Sequence, residues 1–220
     1  LEMPLTFLVR FFANHGLLQV KDRPQWRVIK GGSREYVHKL VAGHRDRIRL
    51  NTAVTSVRRV DDEVQIRTAC GSSEVFDCVF FACHSDQALS LLDDPTSTER
   101  DVLGAIRYQK NEAILHTDES LMPRRSRAWA AWNYHVPEDP GSHVAVTYNM
   151  NILQRFDARK QYCVTLNNDQ TINPDKVLRR IQYEHPVFSL EMIAAQERQA
   201  EINSERSFFC GAYWRNGFHE

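Results

Sequence analysis

Residues 75–92, VFDCVFFACHSDQALSLL, determine the fold class that the sequence predicts. The run up to Phe81 is almost continuously apolar, as in a strand that is covered on both faces. Ser85 then supplies an N-cap for a helix that continues to about Leu92. A buried strand that leads directly into a helix places residues 82–84 where sheet proteins position their ligand-binding loops.

On the N-terminal side, residues 4–13 carry apolar side chains at helical spacing, and Asn14-His15-Gly16 is a helix stop. GLLQV and QWRVIK predict a hairpin around Pro24, which presets a turn. Ser33 follows a glycine pair and caps a second predicted helix. Further strands are predicted over residues 47–50, 53–60, 63–69 and 74–81.

On the C-terminal side, a helix is predicted over residues 98–106, and three antiparallel strands follow up to about Asn151. The remaining elements are a strand at YCVTLN, a short helix at Pro174, an extended run at RRIQYEHPV, a helix from Ser189 to Arg198 and a closing strand at FFCGAYW. This order predicts an α+β (mixed α/β) protein with a mixed, largely antiparallel sheet, and it disfavours a purely parallel wound sheet.

The composition indicates which classes of binding partner the chain disfavours. The chain has 220 residues, of which 42% are hydrophobic, so it can bury a sizeable core. Lys plus Arg (28) balances Asp plus Glu (28), which disfavours nucleic acid and anionic membranes. Five cysteines without CxxC spacing indicate neither a disulfide framework nor a zinc site, and the histidines show no HExxH metal motif. We therefore predict a soluble, cytoplasmic protein without a metal.

Three local features could carry chemistry. Gly31-Gly32-Ser33 could bring backbone amides close to an anionic ligand, or it could simply be a tight strand-to-helix connection. Cys83-His84 resembles a nucleophile with its base, but neighbouring strand residues point to opposite faces, which favours an inert buried cysteine. A group of aromatic residues could line an apolar pocket, although we favour a core position for its members, Trp129, Trp132, Tyr134 and Tyr148.

Neither GxGxxG nor GxxxxGK[ST] occurs in the chain, so it lacks a standard nucleotide-binding fingerprint. The chain begins at Leu1 with an apolar segment already under way, and it ends at Glu220 without a closing helix. We therefore expect it to be a fragment of a longer protein.

Four segments, taken in order, resemble FAD-dependent amine oxidases and phytoene desaturases. They are RVIKGGSREYVHKL, RIRLNTAVTSVRRVDDEVQIRT, FDCVFFACHSDQALSLL and FFCGAYWRNGFHE. More narrowly, NHGLL, RPQW, CHSDQAL and GAYWRNGFHE resemble a bacterial subgroup of amine-oxidase-like flavoproteins. The resemblance covers nearly the whole chain.

The resemblance implies a partial FAD-binding domain, residues 27–95 and 204–220, and a substrate domain, residues 1–26 and 96–203. It implies FAD as cofactor of the complete protein and a small, apolar or amine-bearing substrate. By position, the implied cofactor-binding residues are Gly31, Gly32, Val54, Ala82, Cys83, His84, Gly211, Tyr213, Trp214 and Glu220. Without the N-terminal fingerprint, this chain alone is expected to be free of cofactor and inactive.

Two other classes of function remain open at this point. The missing fingerprint is compatible with a non-catalytic binding domain that never holds a cofactor. A thiol enzyme that uses Cys83 is the third hypothesis.

Overall fold

The structure of the protein is a computed structural model that describes residues 3–22, 24–25, 27–136, 145–167 and 171–215. Two compact units divide the chain. Unit 1 comprises Leu1–Gln25, Asp46–Gln109 and Pro186–Glu220, and unit 2 comprises Trp26–Arg45 and Lys110–His185. Among the described residues, no helix is long and apolar enough to cross a membrane.

The fold is α+β, as the sequence predicted. The helices and strands, in chain order, are α1 (Leu5–Asn14), α2 (Arg34–Val41), β1 (Val54–Val60), β2 (Glu63–Thr68), β3 (Ser73–Phe76), β4 (Val79–Phe81), α3 (Ser85–Leu91), α4 (Ser97–Gly104), β5 (Tyr108–His116), β6 (Trp132–His135), β7 (Ala145–Asn149), α5 (Met150–Gln154), β8 (Cys163–Leu166), β9 (Val177–Pro186), α6 (Leu190–Glu197), α7 (Gln199–Ile202) and β10 (Ser207–Phe209).

Unit 1 contains two small sheets. Strands β1, β2 and β3 form an antiparallel meander in which Val57 lies opposite Ile66 and Val64 lies opposite Phe76. The chain reverses at Asp61, whose φ of 51° is left-handed. The second sheet is a parallel pair, β4 with β10. One apolar core joins these sheets to α3, α4, α6 and α7, because its buried side chains come from all of them.

Unit 2 is built on a five-stranded sheet with the order β6-β7-β8-β5-β9. The pairs β6–β7, β7–β8 and β5–β8 are antiparallel. Side chains alternate between the two faces of a strand, so residues paired in register share a face. On one face, Asn133, Thr147 and Thr165 lie in a row and are at most 8% exposed.

The opposite face of this sheet carries aromatic side chains that are only partly covered. Trp132 lies opposite Tyr148 with the rings edge to face at 6.1 Å, and Tyr148 lies opposite Val164. Trp132 is 46% exposed and Tyr134 is 64% exposed. The prediction that these two residues belong to a core is therefore wrong, because the sheet buries its polar face and leaves the aromatic face accessible.

Most predicted elements are found, and two are not. No described residue between 16 and 33 lies in a strand, so the predicted hairpin around Pro24 is wrong. A two-stranded hairpin without further packing is only marginally stable, and most side chains of this segment are exposed. Residues 47–50 also form no strand, since Arg45–Arg47 make a 3-10 turn and Asn51 adopts a left-handed φ of 55°.

Arg59 on β1 anchors a buried ion pair in unit 1. Its guanidinium donates to Glu99 at 2.5 and 2.9 Å, to Asp94 at 3.1 Å and to the Ser207 hydroxyl at 3.3 Å. The Glu99 carboxylate also accepts the backbone N–H of Thr96, while the Thr96 hydroxyl accepts that of Glu99, so the two residues cap α4. Burial acts to raise the pKa of Glu99, but the bonds from Arg59 and Thr96 outweigh it and hold the pKa below its usual value.

We predict that Arg59→Met destabilises the chain by about 3–5 kcal/mol, because it leaves the buried Glu99 carboxylate without its cation. The measurement is urea unfolding at neutral pH. Arg49→Met is the matched control, since Arg49 pairs with Glu74 at the surface of the same unit and is 57% exposed, so little or no change is expected. Equal losses in the two variants would contradict the assigned role of Arg59.

Candidate functional site

The candidate site of unit 1 lies where β4 and β10 end. The strands run parallel with Phe81 opposite Phe209, so the segments that follow them leave the same edge of the sheet. The Cys210 N–H donates to the Phe81 carbonyl at 3.0 Å and extends the pairing beyond β10. Residues beyond the carboxyl ends of parallel strands commonly form ligand-binding crevices. This pairing brings predicted site residues 82–84 and 211–214 to one sheet edge.

The segment after β4 is held by contacts to Tyr108. Ser85, the first residue of α3, donates its backbone N–H to the Tyr108 hydroxyl at 3.0 Å. The His84 imidazole stacks on the Tyr108 ring with 4.3 Å between centroids and 10° between planes. The Gln87 side chain accepts the backbone N–H of His84, but the Gln87 N–H donates to Asp86. The buried Nδ1 of the His84 ring has no hydrogen-bond partner.

The segment after β10 turns sharply at Gly211. Gly211 has a φ of +151°, and a Cβ added there would lie 2.5 Å from Cε1 of Tyr213. The tight turn buries Tyr213 and Trp214 to 6% and 3% exposure. Gln196 on α6 stabilises it by donating to the carbonyls of Tyr213 and Arg215 at 2.8 and 2.6 Å.

Three buried polar atoms of this site lack hydrogen-bond partners: Nδ1 of His84, the Tyr213 hydroxyl and Nε1 of Trp214. The Tyr213 and Trp214 rings are 5.1 Å apart, but their polar atoms do not meet hydrogen-bond geometry. Burial raises the pKa of Tyr213, the nearby Tyr108 and Cys83 add to that rise, and the Trp214 side chain acts against it. An unsatisfied buried polar group costs about 1–3 kcal/mol, so these atoms mark a site that lacks a polar partner.

The Cys83 thiol of the site is not activated as a nucleophile. Burial raises the pKa of Cys83, whereas a nucleophilic thiol needs a lowered one. Cys210 is exposed and its Sγ donates to the Phe81 carbonyl at 3.3 Å. This environment gives no support to a thiol enzyme that uses Cys83.

The other predicted cofactor-binding residues do not belong to the segments 82–84 and 211–214 that follow β4 and β10. Val54 begins β1 in unit 1 and is 38% exposed. Gly31 and Gly32 belong to unit 2, with left-handed φ values of 88° and 87°, before α2. Ser33 stands at the predicted N-cap of α2, but its side chain makes no cap hydrogen bond. Glu220 lies outside the described residues.

Sequence reasoning missed Tyr108 and Gln196, which hold the two segments of the site. Tyr108 begins β5 directly after α4, and Gln196 lies on the buried side of α6. Each acts on residues at least 17 positions away in the chain. The one sequence signal for these two residues is a polar side chain at a helical position that is otherwise expected to be buried, as at Gln196.

A family model described as flavin containing amine oxidoreductase matches residues 9–165 of the chain. No curated protein sequence matches the chain. Among solved structures, wild-type putrescine oxidase bound to putrescine is 9% identical, with a TM-score of 0.54 over 85% of this chain and 50% of that one.

Two further solved structures are similar to the chain. A double mutant of putrescine oxidase is 9% identical, with a TM-score of 0.54 over 86% of this chain and 50% of that one. A fatty acid isomerase from P. acnes that produces CLA is 15% identical, with a TM-score of 0.46 over 73% and 42% of the two chains. The chain therefore spans about half the length of the structures that it matches.

We predict that Gly211→Ala loosens the turn and costs about 1–3 kcal/mol, because its backbone is unfavourable for alanine and its Cβ would meet the Tyr213 ring. Unfolding in urea and the near-ultraviolet circular dichroism of the buried aromatic rings report the change. Gly104→Ala is the control, since the Cβ added at the end of α4 meets nothing closer than 4.0 Å. An unaltered spectrum in Gly211→Ala would contradict this account of the turn.

Proposed function

The chain belongs to the family of flavin containing amine oxidoreductases, and from this premise we propose that it forms part of an FAD-dependent oxidoreductase. The observation that supports the proposal most is the site at the carboxyl ends of β4 and β10. There, three buried polar atoms without partners gather in two segments that only the tertiary fold brings together. An arrangement of this kind suits a polar, partly aromatic ligand such as a flavin.

We propose that the cofactor lies against both segments of this site. Ala82, Cys83 and His84 would contact it from the end of β4. Gly211, Tyr213 and Trp214 would contact it from the end of β10. The two large rings of the second segment exclude water, and the stacking on Tyr108 fixes the plane of the His84 imidazole. FAD, when bound, would accept a hydride or its equivalent from the substrate.

The remaining assignments are proposals from the family resemblance. We assign Val54 to the adenine side of FAD through its backbone, Gly31 and Gly32 to close packing near the flavin, and Glu220 to the flavin and its ribityl-phosphate arm. We assign residues 27–95 and 204–220 to the partial FAD-binding domain and residues 1–26 and 96–203 to the substrate domain. Cytoplasmic localisation stays a prediction from composition.

We propose that the substrate is a small apolar or amine-bearing molecule. The aromatic face of the unit 2 sheet supports this substrate class, because Trp132 and Tyr134 present accessible rings and Tyr148 lies beside Trp132. Aromatic rings bind apolar groups, and their faces also attract ammonium cations. Oxidase, desaturase and isomerase chemistry all fit such a face.

The second candidate function is a non-catalytic binding domain that holds no cofactor. Its specific support is the absence of GxGxxG from the sequence, since that motif binds the pyrophosphate of dinucleotides at a helix N-terminus. FAD binding separates the two candidates.

We predict that purified chain 1–220 binds FAD weakly or not at all, and that a version extended at the N-terminus by a GxGxxG-containing segment binds it tightly. The measurements are flavin absorbance after gel filtration and the shift in Tm on adding FAD. Failure of both versions to bind would contradict the flavoprotein proposal and favour the binding domain. A Cys83→Ser variant of the extended version is expected to keep FAD.

We predict opposite effects of Tyr213→Phe in the two forms. In chain 1–220, removing a buried hydroxyl without a partner is expected to leave stability unchanged or to raise it by about 1 kcal/mol. In the extended protein, the same change is expected to weaken FAD binding about tenfold, because a hydrogen bond is lost. Tyr134→Phe, at an exposed ring, is the control for both measurements. Unchanged FAD affinity in Tyr213→Phe would exclude the hydroxyl from the cofactor site.

A further inference from the structure

Four side chains on four neighbouring strands of unit 2 form a continuous hydrogen-bonded chain. Nε2 of His135 on β6 lies 3.1 Å from the Thr147 hydroxyl on β7. That hydroxyl lies 2.8 Å from the Thr165 hydroxyl on β8. The Thr165 hydroxyl lies 2.8 Å from Nε2 of His116 on β5. We call these four residues the relay.

One backbone group fixes the tautomer of His116 and, with it, the direction of the hydrogen bond between His116 and Thr165. The Asp118 N–H donates to Nδ1 of His116 at 3.1 Å, so that nitrogen carries a lone pair and Nε2 carries the proton. Nε2–H of His116 then donates to Thr165. A hydroxyl has one proton to donate, and every proton of the relay has an acceptor when Thr165 donates to Thr147 and Thr147 donates to Nε2 of His135. The relay is complete only when both histidines are neutral.

The position of the relay makes protonation costly. His116, Thr147 and Thr165 are all 0% exposed, and His135 is half-buried. Burial lowers the pKa of both histidines. For His116, the Asp118 carboxylate opposes this shift and Lys176 adds to it.

The charged groups around His116 are themselves paired. Asp118 accepts from the Lys176 ammonium and the Asn173 N–H at 3.0 and 2.9 Å. Burial acts to raise the pKa of Asp118, but these bonds outweigh it and hold the pKa well below its usual value. Cys163 lies opposite His116 in the register, and burial raises the pKa of its thiol to about 11. Over the range in which histidines titrate, Asp118 and Cys163 therefore keep their charge states.

We propose that the relay is a pH-operated latch, which ties β6, β7, β8 and β5 together while both histidines are neutral and opens when either one takes up a proton. A proton on Nδ1 of His116 would face the Asp118 N–H, donor against donor. A proton on Nε2 of His135 would force Thr147 to donate to Thr165 instead. Thr165 would then accept from both sides, and its own proton would have no acceptor within the relay.

The pH range of the latch follows from the direction in which folding shifts the pKa values of the two histidines. The folded state lowers the pKa of both histidines below the usual 6.5, so the unfolded chain binds more protons in this range. The stabilisation is present above pH 6.5 and is lost as the pH falls from there through the lowered folded-state pKa values. The latch would therefore weaken unit 2 under mildly acidic conditions.

The first test is the tautomeric state of the two histidines, measured by long-range ¹H–¹⁵N correlation at about pH 8. The proposal requires the proton on Nε2 of His116 and on Nδ1 of His135. A proton on Nε2 of His135, or on Nδ1 of His116, would overturn it. This measurement uses chain 1–220 and depends neither on activity nor on FAD.

The second test compares the fall in Tm between about pH 8 and about pH 5.5 in the wild type, Thr147→Val and Thr147→Ser. Valine removes the central hydroxyl, so we expect a lower Tm at the higher pH and a smaller fall than in the wild type, while the part of the fall that comes from burial of the two histidines remains. Serine keeps the hydroxyl and is expected to restore the full fall. His44→Gln, at an exposed histidine of the same unit, is expected to match the wild type.

An equal fall in Tm in the wild type and in Thr147→Val would refute the latch. A fall in Tm in Thr147→Ser that is clearly smaller than in the wild type would also refute it. If Thr147→Val does not fold, the serine variant and the tautomer measurement still decide the question. A serine variant with the wild-type fall, together with the required tautomers, supports the proposal.

Discussion

The parallel pairing of β4 with β10 is the constraint on which the candidate site depends. It joins residues 129 positions apart in the chain, as the contact between Cys210 and Phe81 shows. Two stacked phenylalanine pairs, with centroids 4.6 and 5.0 Å apart, hold the strands in register. Arg59 adds to the arrangement, because its guanidinium reaches both the buried Glu99 and the Ser207 hydroxyl on β10. Without this pairing, nothing in the local sequence would bring the segment with His84 close to the segment with Tyr213.

The stability of unit 2 depends on a different constraint, the burial of polar side chains. Its sheet buries a face of threonine, asparagine and histidine side chains, which is costly unless every polar group finds a partner. The relay satisfies that requirement across four strands and thereby specifies the register, since a slip by one residue would turn each of these side chains to the other face. The aromatic face is then left accessible. The accessible aromatic face is the physical basis for the proposal of an apolar or amine-bearing substrate.

The sequence predicted the elements with strong local signals and failed where the signal was weak. The apolar run before His84, the antiparallel strands and the helices that begin at Ser85 and Leu190 all appear close to their predicted positions. The described residues around Pro24 do not form the predicted hairpin, because short β-prone runs need a neighbouring sheet to be stable. Trp132 and Tyr134 occupy alternate positions of one strand, and this spacing predicts that their side chains share a face. The spacing does not indicate whether other parts of the protein cover that face.

The sequence establishes the α+β class, the lack of a nucleotide-binding fingerprint in these 220 residues and the family, because these depend on local patterns and on ordered motifs. It also named Cys83, His84, Tyr213 and Trp214 as site residues, although only through the resemblance. The tertiary structure alone decided that two distant segments meet beside a parallel pair and that Tyr108 holds His84 in place. It alone decided which sheet face of unit 2 is polar and buried. Register and burial arise from contacts between residues far apart in the chain, and no local pattern encodes them.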